Sequence, residues 1–213
     1  MKTTLATLTA AIALLSAGAA NAADMYAGNG GGYKDGPVVA GIPISGFYGE
    51  FLGGGGFSQS ELASVVNLSS TGGVFIARVG YDRAFAGKFG LGVWAEGSNS
   101  SDVNSSIASF VKIGENWGWG AGGKVFYDHG GGQVYALLGY EGVDETVASV
   151  TKQLDGFVWG GGISLKLVGN FYGKLEFNQV RYTDLSQYSS TLPVKWAQTD
   201  DRILLGVGYS LGQ

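Results

Sequence analysis

The stretch WGWGAGGKVFYD, residues 117–128, decides how the chain is read. At a period of two it separates into two faces. Trp117, Trp119, Ala121, Gly123, Val125 and Tyr127 form one, apolar throughout and aromatic at both ends. Gly118, Gly120, Gly122, Lys124, Phe126 and Asp128 form the other, which holds both charges. The same letters spell G-x-x-x-x-G-K over residues 118–124. Val125 stands where a phosphate loop needs Ser or Thr, and that loop belongs between a strand and a helix, not inside a strand. The segment is therefore read as a β-strand.

The alternation recurs on both sides of it. Residues 45–53, 72–82, 88–98, 134–142, 156–167, 171–178 and 202–211 repeat the pattern, which predicts eight strands in all. The mid-strand charges Glu50, Arg78, Glu96, Lys124, Glu141, Lys166, Lys174 and Glu176 fall on one face of their strands. That face is also rich in glycine, which suits a narrow lumen where bulky residues need small neighbours. The opposite face is apolar over its middle and bounded by aromatics. Phe47, Tyr81, Phe89, Tyr127, Phe171 and Tyr209 mark one end, and Phe75, Trp117, Phe157 and Phe177 lie towards the other. Apolar-out, polar-in strands with an aromatic girdle at each interface are the pattern of a transmembrane barrel. Closure of an even number of strands removes the unpaired edges that lipid forbids.

The connections alternate in length. Long ones span residues 54–71, 99–116, 143–155 and 179–201; short ones span 83–87, 129–133 and 168–170. The predicted fold class is all-β: an eight-stranded antiparallel up-and-down transmembrane β-barrel with short periplasmic turns and long extracellular loops. All three prolines, Pro37, Pro43 and Pro193, lie outside strand interiors, as ladder hydrogen bonding requires.

Composition agrees. The 213 residues include 39 Gly, no Cys and one His, with a formal net charge of −4. The missing cysteines exclude a disulfide scaffold and thiolate chemistry. The acidic balance argues against a nucleic-acid partner. Met1-Lys2, the apolar run of residues 5–15 and Ala20-Asn21-Ala22 form a secretory signal peptide over residues 1–22. Residues 23–43 read as an irregular periplasmic segment and residues 44–213 as the outer-membrane barrel. The expected location is the bacterial outer membrane, reached with a cleaved signal peptide.

The signal-peptide end Ala22-Ala23-Asp24, the first strand ISGFYG (residues 44–49) and the closing strand RILLGVGYSL (residues 202–211) carry a resemblance. The chain resembles the opacity-like porin family, which includes the alphaproteobacterial outer-membrane immunogenic proteins, and more distantly the OmpA transmembrane domain. The resemblance implies outer-membrane lipid and lipopolysaccharide as surroundings, and periplasmic chaperones and the barrel assembly machinery as partners. It also implies that this machinery reads Val207, Tyr209 and Leu211 as a C-terminal barrel signal. Leu211 holds the place where such barrels usually carry an aromatic, and Gly212-Gln213 follow it.

A barrel of this strand number is barely wide enough for its own side chains. The inward set contains Tyr48, Trp94, Phe126, Tyr135 and Tyr172, with four acidic and four basic residues. Uncompensated buried charge costs several kcal/mol, so a salt-bridge ladder plugging the lumen is expected. No cofactor or metal is assigned, and the chain is read as not an enzyme. His129 falls in a periplasmic turn, away from the outer-leaflet side where lipid A enzymes of similar size work. Asp200-Asp201 and Glu141, Asp144 and Glu145 are acidic groupings of the kind that meet divalent cations beside lipopolysaccharide. The Asn-x-Ser/Thr sites at Asn67, Asn99 and Asn104 are expected by chance in Ser-rich loops.

Three roles follow. The first is a structural or surface role with a plugged lumen. The second is a small diffusion pore. The third is a surface adhesin or ligand binder acting through loops in which Val65, Val66, Leu68, Ile107, Phe110 and Val111 offer apolar contacts. The pattern leaves the oligomeric state open.

Overall fold

The computed structural model describes residues 46–62, 66–86, 88–101, 113–147, 150–182 and 196–211. The chain divides into a unit Met1–Val38, which holds none of these, and a unit Val39–Gln213, which holds all of them. The signal-peptide reading and the reading of residues 23–43 lie outside the described residues, as do residues 102–112 of the second long loop.

Eight strands follow one another: β1 (Gly46–Leu62), β2 (Val66–Ala86), β3 (Phe89–Ser101), β4 (Ile113–Asp128), β5 (Gly132–Val147), β6 (Val150–Lys166), β7 (Phe171–Tyr182) and β8 (Trp196–Ser210). Each pairs antiparallel with its sequence neighbours, and β8 closes on β1, so the sheet is a complete barrel. Beyond the last strand the Leu211 amide donates to the Phe47 carbonyl at 2.7 Å, fastening the C-terminal end to the first strand.

The register fixes the stagger. From Glu50, paired positions lead through Arg78, Glu96, Gly120, Glu141, Gly156, Tyr182 and Gln198 back to β1 at Ser60. The path therefore returns ten residues above its start, from position 50 to position 60. With ordinary strand rise and spacing this gives a tilt of roughly 40°, so each residue climbs roughly 2.5 Å along the barrel axis.

The expected connections need correction. Stretches of every long connection, and of two short turns, are strand: residues 83–86, 99–101, 113–116, 132–133, 179–182 and 196–201 lie within β2, β3, β4, β5, β7 and β8. Residues 54–62 and 66–71, read as a loop, are paired strand, and residues 54–62 also pair with β8. Residues 143–147 and 150–155 likewise continue the β5–β6 ladder. Ser, Gly and Asn there have little intrinsic strand preference, but each paired residue extends a ladder already in register. The 21 residues of β2 rise roughly 50 Å at this tilt, about twice the height of the apolar band of an outer-membrane barrel. The walls therefore stand well beyond that band on the side of the long connections.

The outward surface is apolar and bare. Phe51 is 72% exposed, Leu205 65%, Phe75 64% and Val79 63%. Soluble monomers rarely carry contiguous apolar patches beyond a few hundred Å², so this belt is matched to lipid. At the turn end Phe47 packs on Tyr81, Phe89 on Tyr127 and Phe171 on Tyr209, with ring centroids 4.9–5.0 Å apart. Trp117, Phe157 and the Trp119–Tyr140 pair stand exposed towards the other end. Phe177 also faces outward but is only half-exposed. The register places the two aromatic belts roughly 20 Å apart along the axis, close to the height expected for the apolar band.

Inside, bulk is matched to glycine. A Cβ on Gly80 would meet the Tyr48 ring, one on Gly90 the Phe126 ring, and one on Gly162 the Tyr135 ring. Gly208 makes the same room for Tyr172, and Gly122 and Gly139 both do so for the Trp94 indole. These six interior glycines make room for aromatic rings from other strands. Between and above the rings lie apolar side chains, among them Leu52, Val74, Ile76 and Leu204, which form one buried cluster.

Candidate functional site

The candidate site is the lumen itself. Parity along each strand sends Glu50, Arg78, Glu96, Lys124, Glu141, Lys174 and Glu176 inward, and all seven are buried. Lys166 has the same parity but lies half-buried at the β6–β7 turn, outside the clusters described below. Parity gives the face; the stagger gives the depth, and depth removes Lys166 from the middle.

Arg78 is the hub. Its Nε donates to Glu96 Oε2 at 2.7 Å. Its Nη1 and Nη2 donate to the two oxygens of Glu176 at 2.7 and 2.8 Å. Glu50 Oε2 is 3.6 Å from Nη1. The planar guanidinium offers several donors in a fixed fork, so one cation serves three carboxylates. Lys174 closes the ring, donating to Glu50 at 2.7 Å and lying 3.3 Å from Glu176. Tyr172 Oη donates to Glu50 at 2.8 Å, Tyr135 Oη to Glu176 at 2.7 Å, and Asn178 Nδ2 to Glu176 at 3.0 Å. The cations also stack on rings: Arg78 lies 5.1 Å from the Trp94 centroid and Lys174 4.5 Å from that of Tyr135.

Two further pairs flank the hub. On the turn side Lys124 lies 2.9 Å from Asp82 and 4.2 Å above the Tyr48 ring. Tyr48, Asp82, Lys124, Gln133, Tyr172 and Ser210 are among the residues around a cavity of about 10 Å³ there, room for about one water molecule. On the other side Arg202 Nη1 donates to both oxygens of Glu141 at 2.8 and 2.9 Å, and its Nη2 to Tyr182 Oη at 3.4 Å. The register sets this pair roughly 12 Å above Glu50, near the outer aromatic belt.

Asp82, Asp128, Asp200 and Arg202 were not among the expected lumen charges, yet all four are buried inside. The four-against-four balance therefore becomes seven buried acids against four buried bases among the described residues. Neutral donors supplement the cations: the Gly130 amide donates to Asp128 at 2.6 Å and Gln198 Nε2 to Asp200 at 3.2 Å. The signal was present in the sequence, because the four share the parity of their strands' inward residues. Counting places Asp82, Asp128 and Arg202 at the ends of the expected strands and Asp200 outside them, whereas β2 and β8 run past three of the four.

Of the remaining candidates, His129 is exposed in the β4–β5 turn. Asp144 is exposed while Glu141 is buried against Arg202, so these two do not form one site. Among the described residues no group of three or more His, Cys, Asp or Glu has metal-binding geometry. Val207, Tyr209 and Leu211 all face outward and are exposed.

No protein-family model matches the chain, and no curated protein does either. Solved structures do. Neisserial surface protein A is similar with a TM-score of 0.50 at 15% identity, covering 78% of this chain and 98% of that one. Ail, the attachment invasion locus protein of Yersinia pestis, gives 0.49 at 12% identity, covering 78% and 99%. The N-terminal β-barrel domain of Pseudomonas aeruginosa OprF gives 0.41 at 13%, covering 78% and 98%. At such identities the likeness speaks for the fold: a closed eight-stranded antiparallel barrel of the small outer-membrane type.

Proposed function

We propose that the chain is an integral outer-membrane barrel with a closed lumen, acting as a structural and surface element rather than as a conduit. The observation that carries this reading is the Arg78 hub. Arg78 and its partners Glu50, Glu96, Lys174 and Glu176 are held from four strands in one layer, with their side chains at most 2% exposed. An ion crossing this layer would have to break several charge-assisted hydrogen bonds in a site with little water to replace them. The proposal includes lipopolysaccharide around the outer belt, and assembly machinery that reads Val207, Tyr209 and Leu211.

Vesicles carrying the refolded barrel test this reading. The barrel is shown folded by its heat-dependent gel migration. Such vesicles are expected to retain a trapped pentose as long as protein-free vesicles do; release within seconds would favour the diffusion pore.

A second reading concerns the rim and is compatible with the first. The ladder of β1 with β2 and β8 continues above the outer aromatic belt, where Phe57 is 49% exposed. An ordered wall that rises past the membrane favours contact with a surface ligand through the long-connection side.

A further inference from the structure

The lipid-facing wall is not uniformly filled. On β2 to β5 a groove of about 500 Å³ opens outward, lined by Tyr81, Leu91, Val93, Val125 and Leu138, with Arg83 at one end. Its floor exists because Gly123 and Ala136 present almost no side chain where their neighbours present large ones. The register runs it from the turn-side aromatic belt to the middle of the apolar band, roughly 14 Å along the axis. It therefore opens towards the periplasmic leaflet.

Arg83 gives the groove a polar end. It is exposed, and it forms none of the ion pairs found among the described residues. It stands at the level of the belt residues Phe47, Tyr81 and Phe89. Among the described strand residues it is the one cation that faces outward at this end. A guanidinium at the membrane interface matches a phosphate diester in charge and in bidentate geometry. We infer that this groove binds one glycerophospholipid of the periplasmic leaflet, with its phosphate on Arg83 and an acyl chain along Gly123 and Ala136. The apolar floor and the cationic end are separate features, and the lipid is the occupant that uses both.

Native mass spectrometry of the detergent-purified barrel with added dioleoyl phosphatidylglycerol tests this. The barrel is expected to keep one lipid under activation that strips the rest. Arg83→Gln and Gly123→Leu should each reduce that retained fraction at least fivefold. A Cβ on Gly123 meets only the Gly92 carbonyl, at 3.6 Å, so the larger residue fills the groove without moving backbone; Ala136→Leu fills it from the next strand. Arg181→Gln, an exposed arginine at the far end of β7, should leave retention unchanged. Dioleoylglycerol, which lacks the phosphate, should not be kept. Equal retention by wild type and variants, or by the diacylglycerol, overturns the assignment. Displacement by inorganic phosphate alone reduces the site to an anion contact and overturns it too. So does a barrel dimer that Gly123→Leu dissolves, because the occupant is then a second copy.

Discussion

Replacing Arg78 with Leu is expected to cost the barrel about 3–5 kcal/mol, the range for removing one partner of a buried ion pair. The loss falls unevenly on the three carboxylates that Arg78 joins. Glu96 loses its 2.7 Å partner, and Glu176 loses both arms of a bidentate contact. Lys174 remains beside Glu50 and Glu176, so these two keep part of their compensation. Arg78→Lys should fall between, since a single ammonium cannot reach three carboxylates with the geometry of a fork. Removing Glu176 as well, in an Arg78→Leu, Glu176→Leu double variant, should recover part of the loss, because fewer buried charges are then left unpaired. Urea unfolding from vesicles measures each value. A cost for Arg78→Leu below about 1 kcal/mol, typical of exposed ion pairs, would mean that water already solvates the hub.

The second large effect lies on the outside of the wall. Leu205 faces outward, 65% exposed, near the middle of the gap between the two aromatic belts. Leu205→Arg should destabilise the barrel in a bilayer by roughly 2–4 kcal/mol, whereas Leu211→Arg, at the turn-side edge, should cost roughly 0–1 kcal/mol. The same substitutions on a water-facing surface would fall within about 0.5 kcal/mol of neutral. The difference between the two positions thus reports depth in the membrane, independently of what the lumen does.

Much of this architecture is legible from alternation alone. Phe47, Tyr81, Phe89, Tyr127, Phe171 and Tyr209 can be placed on one outward belt by counting, because a strand's period of two leaves no freedom about face. What counting cannot supply is how neighbouring strands are offset. The stagger decides that Glu176 of β7 meets Arg78 of β2, 98 positions away in the chain. It also decides that Lys166, on the correct face, sits at the wrong depth to join them. Asp200 is hidden differently: it falls in the connection 179–201, and a charged run at the end of a long polar stretch reads as loop. Residues 54–62 misled for the converse reason, since three glycines and three serines or glutamines signal a turn locally, while ladders on both sides hold them straight.

Closure of the lumen by the Arg78 layer is tested most directly by single-channel recording in a planar bilayer. Refolded barrel, shown folded by its heat-dependent gel shift, should give a flat current trace over the full voltage range. Arg78→Leu, if it folds, should show openings that the native barrel lacks. Steady ion-conducting steps from the native barrel would contradict closure, and diffusion would then become its leading function.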